Sequence, residues 1–219
     1  MPGCRENTVS ETKTTLDLIR HGAPVGGKKF RGSTDDPLSE DGWRAMQRAV
    51  GDYRDWDHIV TSPLSRCAAF AAHLHDQTGI PLSVHADLRE VTFGAWEGMT
   101  AAQVIAAHGD ALARYWDEAD TYTPPGAEPV ADFTGRVAAA TQHLAQTHRG
   151  RRVLVVAHAG TMRAMLAALL GLPLKTTMCF DIPYACLSRV VIYGDGDGDG
   201  GAQNAILRGH GLQLDRRHS

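Results

Sequence analysis

Short apolar runs alternate along the chain with longer segments in which apolar residues recur at helical spacing. The clearest run covers residues 152–157, which have the unbroken hydrophobic character of a strand buried on both faces. Residues 14–19, 58–61 and 81–84 are shorter candidates for strands. This alternation predicts an α/β fold with a mainly parallel sheet.

Helices are predicted between these strands, and two of them have clear start signals. Ser39, followed by two acidic residues, is typical of an N-cap and first turn, and the helix should run to Val50. Ser62 and Pro63 are the residue types of an N-cap and first helical position for a second helix, which should end near Gly79. Further helices are predicted over residues 100–107, 110–119 and 132–148 and from residue 161.

The two ends of the chain differ from its centre. Residues 1–13 are polar and predict a disordered leader, which leaves residues 14–219 as a single folded domain. Strands at 187–193 and 203–207 flank a Gly/Asp-rich run at 194–201. That run lacks the ligand spacing of an EF-hand calcium loop, so it predicts a hairpin turn.

Composition limits the classes of partner that this chain can attract through its overall charge and hydrophobicity. Its 219 residues are 43% hydrophobic and carry a net charge of −3, as in an ordinary globular protein that does not attract nucleic acid or anionic membranes. No stretch approaches the roughly 18 uninterrupted apolar residues of a membrane span. The four cysteines show no CxxC spacing, and Cys67 falls on an apolar helix face. This usage favours free thiols and a reducing, cytoplasmic location.

Two of the predicted strands end in the same manner, with a histidine and then a glycine. The first ends in Arg20-His21-Gly22 and the other in Ala157-His158-Ala159-Gly160. Parallel strands would bring both histidines to one edge of the sheet, which is where open α/β sheets bind ligands. One histidine in such a place is usually structural. A pair, one of them preceded by arginine, favours a functional site.

The motifs along the chain resemble those of the histidine phosphatase, or phosphoglycerate mutase-like, superfamily. The resemblance extends from about residue 15 to residue 190, and it implies a three-layer α/β/α sandwich with a mainly parallel central sheet. The matching motifs occur in the order of that family: Arg20-His21-Gly22, Thr61-Ser62-Pro63-Leu64-Ser65-Arg66, Leu88-Arg89-Glu90, Phe93-Gly94-Ala95-Trp96-Glu97-Gly98 and Ala157-His158-Ala159-Gly160.

The resemblance implies a role for each catalytic candidate. His21 would attack phosphorus and form a phosphohistidine that water later hydrolyses. Arg20 and Arg66 would bind the phosphate oxygens, and His158, kept protonated by the anion, would donate to one of them. Glu90 would give a proton to the leaving group. Neither a metal nor another cofactor is implied.

The residue types agree with these roles. His21 must be neutral at its attacking nitrogen, so its other nitrogen should donate to a backbone carbonyl. Arg66 falls in the first turn of a helix, where its charge opposes the helix dipole and therefore suits an anion-binding side chain. The helix that follows His158 should point its N–H groups, including that of Ala159, at the same pocket. Glu97 is interpreted as a structural carboxylate.

Substrate preference is predicted from the loops. Residues 32–39 and 93–98 look like the α-ribazole phosphatase branch of the family, which suggests α-ribazole 5′-phosphate as a substrate. Arg31 and Thr34 are candidate substrate contacts on the first of these loops. The expected partner is a small-molecule phosphate ester, with no nucleic acid and no membrane. A homodimer is left open as the state of assembly.

Two alternatives to a phosphatase remain. The first is phosphoglycerate mutase-type phosphoryl transfer, but the chain departs from the mutase pattern at Gly27, Phe93 and Ala101 and has only Arg114 where mutases carry paired arginines. The second is a module that binds phosphate or a phosphoprotein without turnover. Such a module needs neither a nucleophile nor an acid, so the full set of candidates favours the enzyme.

Overall fold

The computed structural model describes residues 12–118, 122–194 and 204–214. One sheet contains the strands in the order β3-β2-β4-β1-β5-β6. Neighbours among β1 to β4 are parallel, and β5 and β6 are antiparallel to their neighbours. The predicted α/β fold with a mainly parallel sheet is confirmed. The strands are β1 (Thr12–Arg20), β2 (His58–Thr61), β3 (Leu82–Val84), β4 (Arg152–Ala157), β5 (Leu187–Gly194) and β6 (Ala205–His210).

Helices cover both faces of the sheet, because alternate residues of its central strands point in opposite directions. Leu16 and Val155 face a core that includes residues of α5 and α6. Ile19 and Leu154 face a second core with α1 and α2. The predicted three layers are therefore present. The helices are α1 (Glu40–Val50), α2 (Ser65–Thr78), α3 (Ala101–His108), α4 (Ala111–Asp117), α5 (Val130–Thr147) and α6 (Ala159–Leu170).

A third, smaller core lies beneath α3 and α4. Trp96 is completely buried in it and packs with Val104 of α3 and Tyr115 of α4. Burial of this indole fixes the segment that also carries Glu97.

Several predicted boundaries were wrong by a few residues. Strand β1 begins at Thr12, inside the predicted leader of residues 1–13, because Thr12 and Lys13 pair with the end of β5. Strand β6 extends to His210, beyond the predicted end at 207, because Gly209 and His210 continue the pairing with β5 after an irregularity in the register. Residues 1–11 of the leader and 195–201 of the Gly/Asp-rich run lie outside the described residues.

The predicted start of α2 was also wrong. This helix begins at Ser65, three residues after the predicted N-cap Ser62. A distant side chain takes over the capping, since Oδ1 of Asp35 accepts from the Ser65 backbone N–H at 2.7 Å and from its hydroxyl at 2.8 Å. Helix α6, by contrast, starts earlier than predicted, at Ala159 directly after His158.

A buried ion pair joins β1 to β5. Asp17 is completely buried, and its carboxylate accepts two hydrogen bonds from Arg189, at 2.8 and 2.9 Å, and one from the Trp56 indole at 2.8 Å. A buried carboxylate is stable only when it is paired and hydrogen-bonded in this way. Asp17 therefore depends on partners from two other parts of the chain.

We expect Asp17→Asn to lower the free energy of unfolding by about 3 kcal/mol, because breaking a buried ion pair leaves the partner charge uncompensated. Urea denaturation of the two proteins measures the difference. Asp41→Ala is the matched control, since Asp41 pairs with Arg44 on the surface, where its side chain is 87% exposed. The control should lose no more than about 1 kcal/mol, because an exposed ion pair and an acidic residue in the first turn of a helix each contribute little. Equal stability of all three proteins would contradict the expectation.

Candidate active site

The two histidines lie side by side at the carboxyl edge of the sheet. Strands β1 and β4 are parallel neighbours with Arg20 opposite Ala157, so the residues that follow them, His21 and His158, meet at one level. Their ring centroids are 5.1 Å apart, and both side chains are buried. The edge placement predicted for the pair is confirmed.

The tautomer of His21 is determined by its own backbone neighbour. Nδ1 lies 2.7 Å from the carbonyl oxygen of Gly22, which can only accept, so Nδ1 carries the hydrogen and Nε2 keeps its lone pair. Burial lowers the pKa of His21 to about 3, and the positive charges of Arg20 and Arg66 add to this effect. The imidazole is therefore neutral near pH 7, as a nucleophile requires.

His158 has a different environment. Its Nε2 lies 2.7 Å from the hydroxyl oxygen of Ser62, and the Cys67 thiol is 3.6 Å from the same nitrogen. Burial, together with the neighbouring His21 ring and the charges of Arg66 and Arg20, holds the pKa of His158 well below its usual value, so the imidazole is neutral in this structure. A protonated His158 remains a prediction for the site with a bound anion. Cys67 is a buried free thiol, as predicted, and burial raises its pKa.

Arg20 projects from the end of β1 and is held from one side. Its Nη1 donates to the carbonyl of Ile182 at 2.7 Å, and its guanidinium carbon lies 4.1 Å from the ring centroid of Tyr184. The same tyrosine ring is 5.8 Å from the ring of His21. The Nε of Arg20 is buried, and it has no hydrogen-bond partner among the described residues.

Arg66, in the first turn of α2, is completely buried. It donates from Nη1 to the carbonyl of Thr34 at 2.7 Å and from Nη2 to the carbonyls of Gly32 and Arg31 at 3.1 and 3.2 Å. Its buried Nε likewise finds no partner in the described part of the chain. Buried donors are normally satisfied, so two free Nε–H groups beside a histidine suit the binding of an anion.

Glu97 holds the other side of the same loop. Its carboxylate accepts from the backbone N–H groups of Gly32, Ser33 and Thr34 at 2.9, 3.0 and 3.0 Å, and from that of Phe93 at 2.9 Å. Burial alone would raise the pKa of Glu97, but these hydrogen bonds outweigh it and the pKa is lowered. The peptide segment 31–34 is thus held between a carboxylate and the guanidinium of Arg66, and the structural role predicted for Glu97 agrees with its contacts.

The two predicted substrate contacts already bond within the protein. Arg31 donates to Asp36 at 2.6 Å and to the carbonyls of Gly27 and Val25 at 2.6 and 2.7 Å. The Thr34 hydroxyl donates to Glu97 at 2.5 Å. These bonds anchor all three guanidinium nitrogens of Arg31 and use the hydroxyl proton of Thr34, and a substrate contact by either residue stays a prediction.

Glu90 reaches the start of α6 and is largely buried. Its Oε2 accepts from the backbone N–H of Gly160 at 3.0 Å, and its charge faces that of Arg20. A Cβ atom at position 160 would lie 2.4 Å from Oε1, so only glycine permits this approach. Ala159, the other predicted contact from α6, is the first residue of the same helix.

Several residues that complete the site were not recognised in the sequence. Tyr184 and Ser62 contact Arg20 and His158 as described above. Arg163, from α6, donates to the carbonyl of Phe180 at 3.0 Å, and its charge interacts with those of Arg20 and Glu90. None has a local sequence signal for its contact, because each partner comes from a different element. The backbone is unusual beside one of these residues: Ala185, next to Tyr184, has a φ of +59°, which is uncommon for residues other than glycine.

The described residues contain neither a metal-binding cluster nor a membrane-spanning helix. No group of three or more His, Cys, Asp or Glu side chains there is arranged to hold a metal ion. None of the helices described is long and apolar enough to span a bilayer.

Known proteins similar to this chain include several phosphatases. The bifunctional protein Rv2228c of Mycobacterium tuberculosis is 32% identical over 190 residues, which is 84% of this chain and 52% of that protein. The chain thus spans about half the length of the first curated relatives that it matches. A glucosyl-3-phosphoglycerate phosphatase of Mycolicibacterium vanbaalenii is 36% identical over 170 residues, which is 72% of this chain and 75% of the relative.

Solved structures agree on the fold. The crystal structure of the α-ribazole phosphatase from Shigella flexneri superposes with a TM-score of 0.76 over 91% of this chain and 96% of that one, at 23% identity. At this identity the likeness concerns architecture alone. The family model described as histidine phosphatase superfamily (branch 1) matches residues 16–198. The chain therefore belongs to the histidine phosphatase superfamily.

Proposed function

We propose that the protein hydrolyses a phosphate monoester with His21 as the nucleophile. The observation that carries this proposal is the state of His21: a neutral ring whose Nδ1 is tied to Gly22, so that Nε2 keeps its lone pair. The ring is buried beside Arg20 and Arg66, each with an Nε donor that no described residue satisfies. A reactive nitrogen among unused cationic donors is what transfer of a phosphoryl group requires.

The proposed reaction has two steps. Nε2 of His21 attacks phosphorus in line, the bond from phosphorus to the ester oxygen breaks, and the departing oxygen takes a proton from the carboxylic acid of Glu90. In the second step Glu90, now a carboxylate, takes a proton from water. The resulting hydroxide attacks phosphorus, the phosphorus–nitrogen bond breaks, and inorganic phosphate leaves with both residues restored.

The remaining charged groups are proposed to stabilise the transferring phosphoryl group. Arg20 and Arg66 would direct their free Nε–H groups to its non-bridging oxygens. His158 would donate from Nδ1, because its Nε2 is occupied by the Ser62 hydroxyl. The backbone N–H of Ala159, in the first turn of α6, would add a further donor.

The substrate that we propose is a small-molecule phosphomonoester. The 36% identical relative is named for glucosyl-3-phosphoglycerate, whereas the α-ribazole phosphatase shares only the architecture. Both phosphates therefore belong in a substrate panel, together with phosphoglycerates and sugar phosphates.

The free thiols of Cys67, Cys179 and Cys186 support the reducing compartment expected from the sequence.

Mutase activity is less well supported. Arg114 is exposed on α4 and forms an ion pair with Glu118 at 3.3 Å. Arg114 therefore does not supply the site with the paired arginines that mutases carry. A binding module without turnover would also fit the pocket, but it gives no reason for Glu90 to approach Gly160 so closely. Hydrolysis of p-nitrophenyl phosphate by the wild-type protein separates this module from the enzyme.

His21→Ala should abolish hydrolysis of p-nitrophenyl phosphate, because no other described group supplies the attacking nitrogen in the proposed reaction. Release of p-nitrophenolate measures the rate. The matched control is His75→Ala: His75 is exposed on α2 and bonded through Nδ1 to the carbonyl of Ile80. This control should keep the wild-type rate. A His21→Ala protein that still turns over would refute the nucleophile.

Glu90→Gln should slow the hydrolysis of phenyl phosphate by about 100-fold or more, since general acid catalysis is typically worth 10²–10⁴ in rate. The loss with p-nitrophenyl phosphate should be much smaller, because p-nitrophenolate leaves readily without a proton. Steady-state kcat/KM for both substrates gives the ratio. Glu97→Gln removes a neighbouring carboxylate that we place outside the chemistry, and it should slow both substrates equally. Equal losses in Glu90→Gln would contradict the acid role.

The ring of His21 should stay neutral in the folded protein down to about pH 4, because its pKa is lowered to about 3. NMR of protein labelled in the histidine ring nitrogens follows the tautomer directly. An unfolded histidine titrates near 6.5, so the unfolded chain binds more protons between these two values and stability falls as the pH drops through that window. The stability of His21→Ala should therefore depend less steeply on pH, whereas titration of His21 near 6.5 would contradict this assignment.

A further inference from the structure

An ion pair without an assigned role lies next to the proposed catalytic acid. Arg136 of α5 donates from Nε and Nη2 to the two carboxylate oxygens of Glu128, at 2.6 and 2.7 Å. The pair is largely buried, with side-chain exposures of 12% and 14%. This fork-to-fork geometry fixes the plane of the guanidinium as well as its position.

The remaining donors of Arg136 all point at the chain segment that ends in Glu90. Nη1 donates to the carbonyls of Asp87 and Arg89 at 2.7 and 3.0 Å, and Nη2 donates to the carbonyl of Glu90 at 3.2 Å. With the two bonds to Glu128, every N–H group of this guanidinium is used. The Arg136 side chain thus binds three backbone carbonyl groups within four consecutive residues.

This segment has little regular structure to hold it. Residues 86–88 form a single 3₁₀ turn, and Glu90 itself lies outside any helix or strand. The hydroxyl of Thr161 donates to the carbonyl of Arg89 at 3.2 Å, and the N–H of Gly160 meets the Glu90 carboxylate. The segment is therefore held between α5 and α6, and α5 contributes through Arg136.

Glu128 is tied to the far side of the same segment. Its backbone N–H lies 3.1 Å from the carbonyl and 3.0 Å from the hydroxyl oxygen of Thr92, two residues after Glu90. The chain before Glu90 is bonded to Arg136, and the chain after it is bonded to the partner of Arg136. Movement of this ion pair would move both ends of the stretch that carries Glu90.

We propose that Arg136, oriented by Glu128, is a positioning residue that fixes the carboxyl group of Glu90 at the distance from which it protonates the leaving oxygen. The proposal rests on the proposed function, because it requires Glu90 to be the acid. Proton transfer depends steeply on the separation of donor and acceptor, so loss of Arg136 weakens this step before it affects attack by His21. Arg136 does not itself touch the substrate.

The test compares two aryl phosphates whose leaving groups differ in basicity and therefore in how much they need the acid. For Arg136→Gln, kcat/KM for phenyl phosphate should fall at least about tenfold further than kcat/KM for p-nitrophenyl phosphate, as a weaker form of the loss expected of Glu90→Gln. Glu128→Gln, which keeps the side-chain size and removes the charge, should shift the ratio in the same direction by a smaller factor.

Two further variants separate a positioning effect from a loss of folding: Arg136→Lys and Asp17→Asn. Lysine keeps the charge but lacks the planar fork, so Arg136→Lys should resemble Arg136→Gln in the substrate ratio while remaining folded. If Arg136→Gln fails to fold, Arg136→Lys takes its place in every comparison. Asp17→Asn breaks a different buried ion pair, and it should leave the substrate ratio unchanged even where it lowers stability. Circular dichroism on each protein confirms that the assays use folded enzyme.

A double variant distinguishes action through Glu90 from an independent effect. In Glu90→Gln/Arg136→Gln the ratio should equal that of Glu90→Gln alone, because there is no acid left to misplace. Equal losses on both substrates in the folded Arg136 variants, beside a selective loss in Glu90→Gln, would overturn the positioning role and leave the proposed function intact. The positioning role would also be overturned if the two substitutions changed the substrate ratio independently, so that their effects multiplied in the double variant. If Glu90→Gln showed no selective loss with phenyl phosphate, both the acid role of Glu90 and the positioning role of Arg136 would be refuted.

Discussion

Parallel pairing of β1 with β4 is the constraint on which the site depends. The register sets Arg20 opposite Ala157, so the residue after each strand emerges at the same height on the same edge. A shift by one residue would send one histidine to the opposite face, because side chains alternate along a strand. The apolar faces of both strands are buried on both sides, and this burial fixes the register.

Arg20 and Arg66 place positive charge beside the histidine pair at the edge that results, and the Glu90 carboxylate faces Arg20. Burial and the nearby cations lower the pKa values of both histidines, so the rings are neutral while Arg20 and Arg66 supply the charge. The desolvation of these groups is a cost that packing elsewhere in the fold must offset. An anion that entered would relieve it, which links the stability of the folded chain to what the pocket binds.

The sequence predicts the elements and the identity of the paired histidines well, because strands and strand ends have local signals. It does not predict side-chain partners that come from a distance. Ser62 has the residue type and position of an N-cap, yet its hydroxyl bonds to His158, while Asp35 caps α2 from another loop. Arg31 looks like a free cation on a loop, but all three of its guanidinium nitrogens bond within that loop. Such choices depend on the competition among donors in the folded state, which spacing along the chain does not encode.

The loop that precedes α1 divides into two parts with different freedom to change. Its segment 31–34 lies between Glu97 and Arg66, so an inserted residue there would alter the alternation of N–H and carbonyl groups on which both side chains depend. Residues 25–29 are exposed, and the contacts that Arg31 makes with them go to backbone carbonyls. The side chains of Val25, Lys28 and Lys29 can therefore vary without disturbing Arg66, whereas Gly26 and Gly27 adopt positive φ values that favour glycine. The surface near the pocket can thus change among related proteins while the fold stays the same.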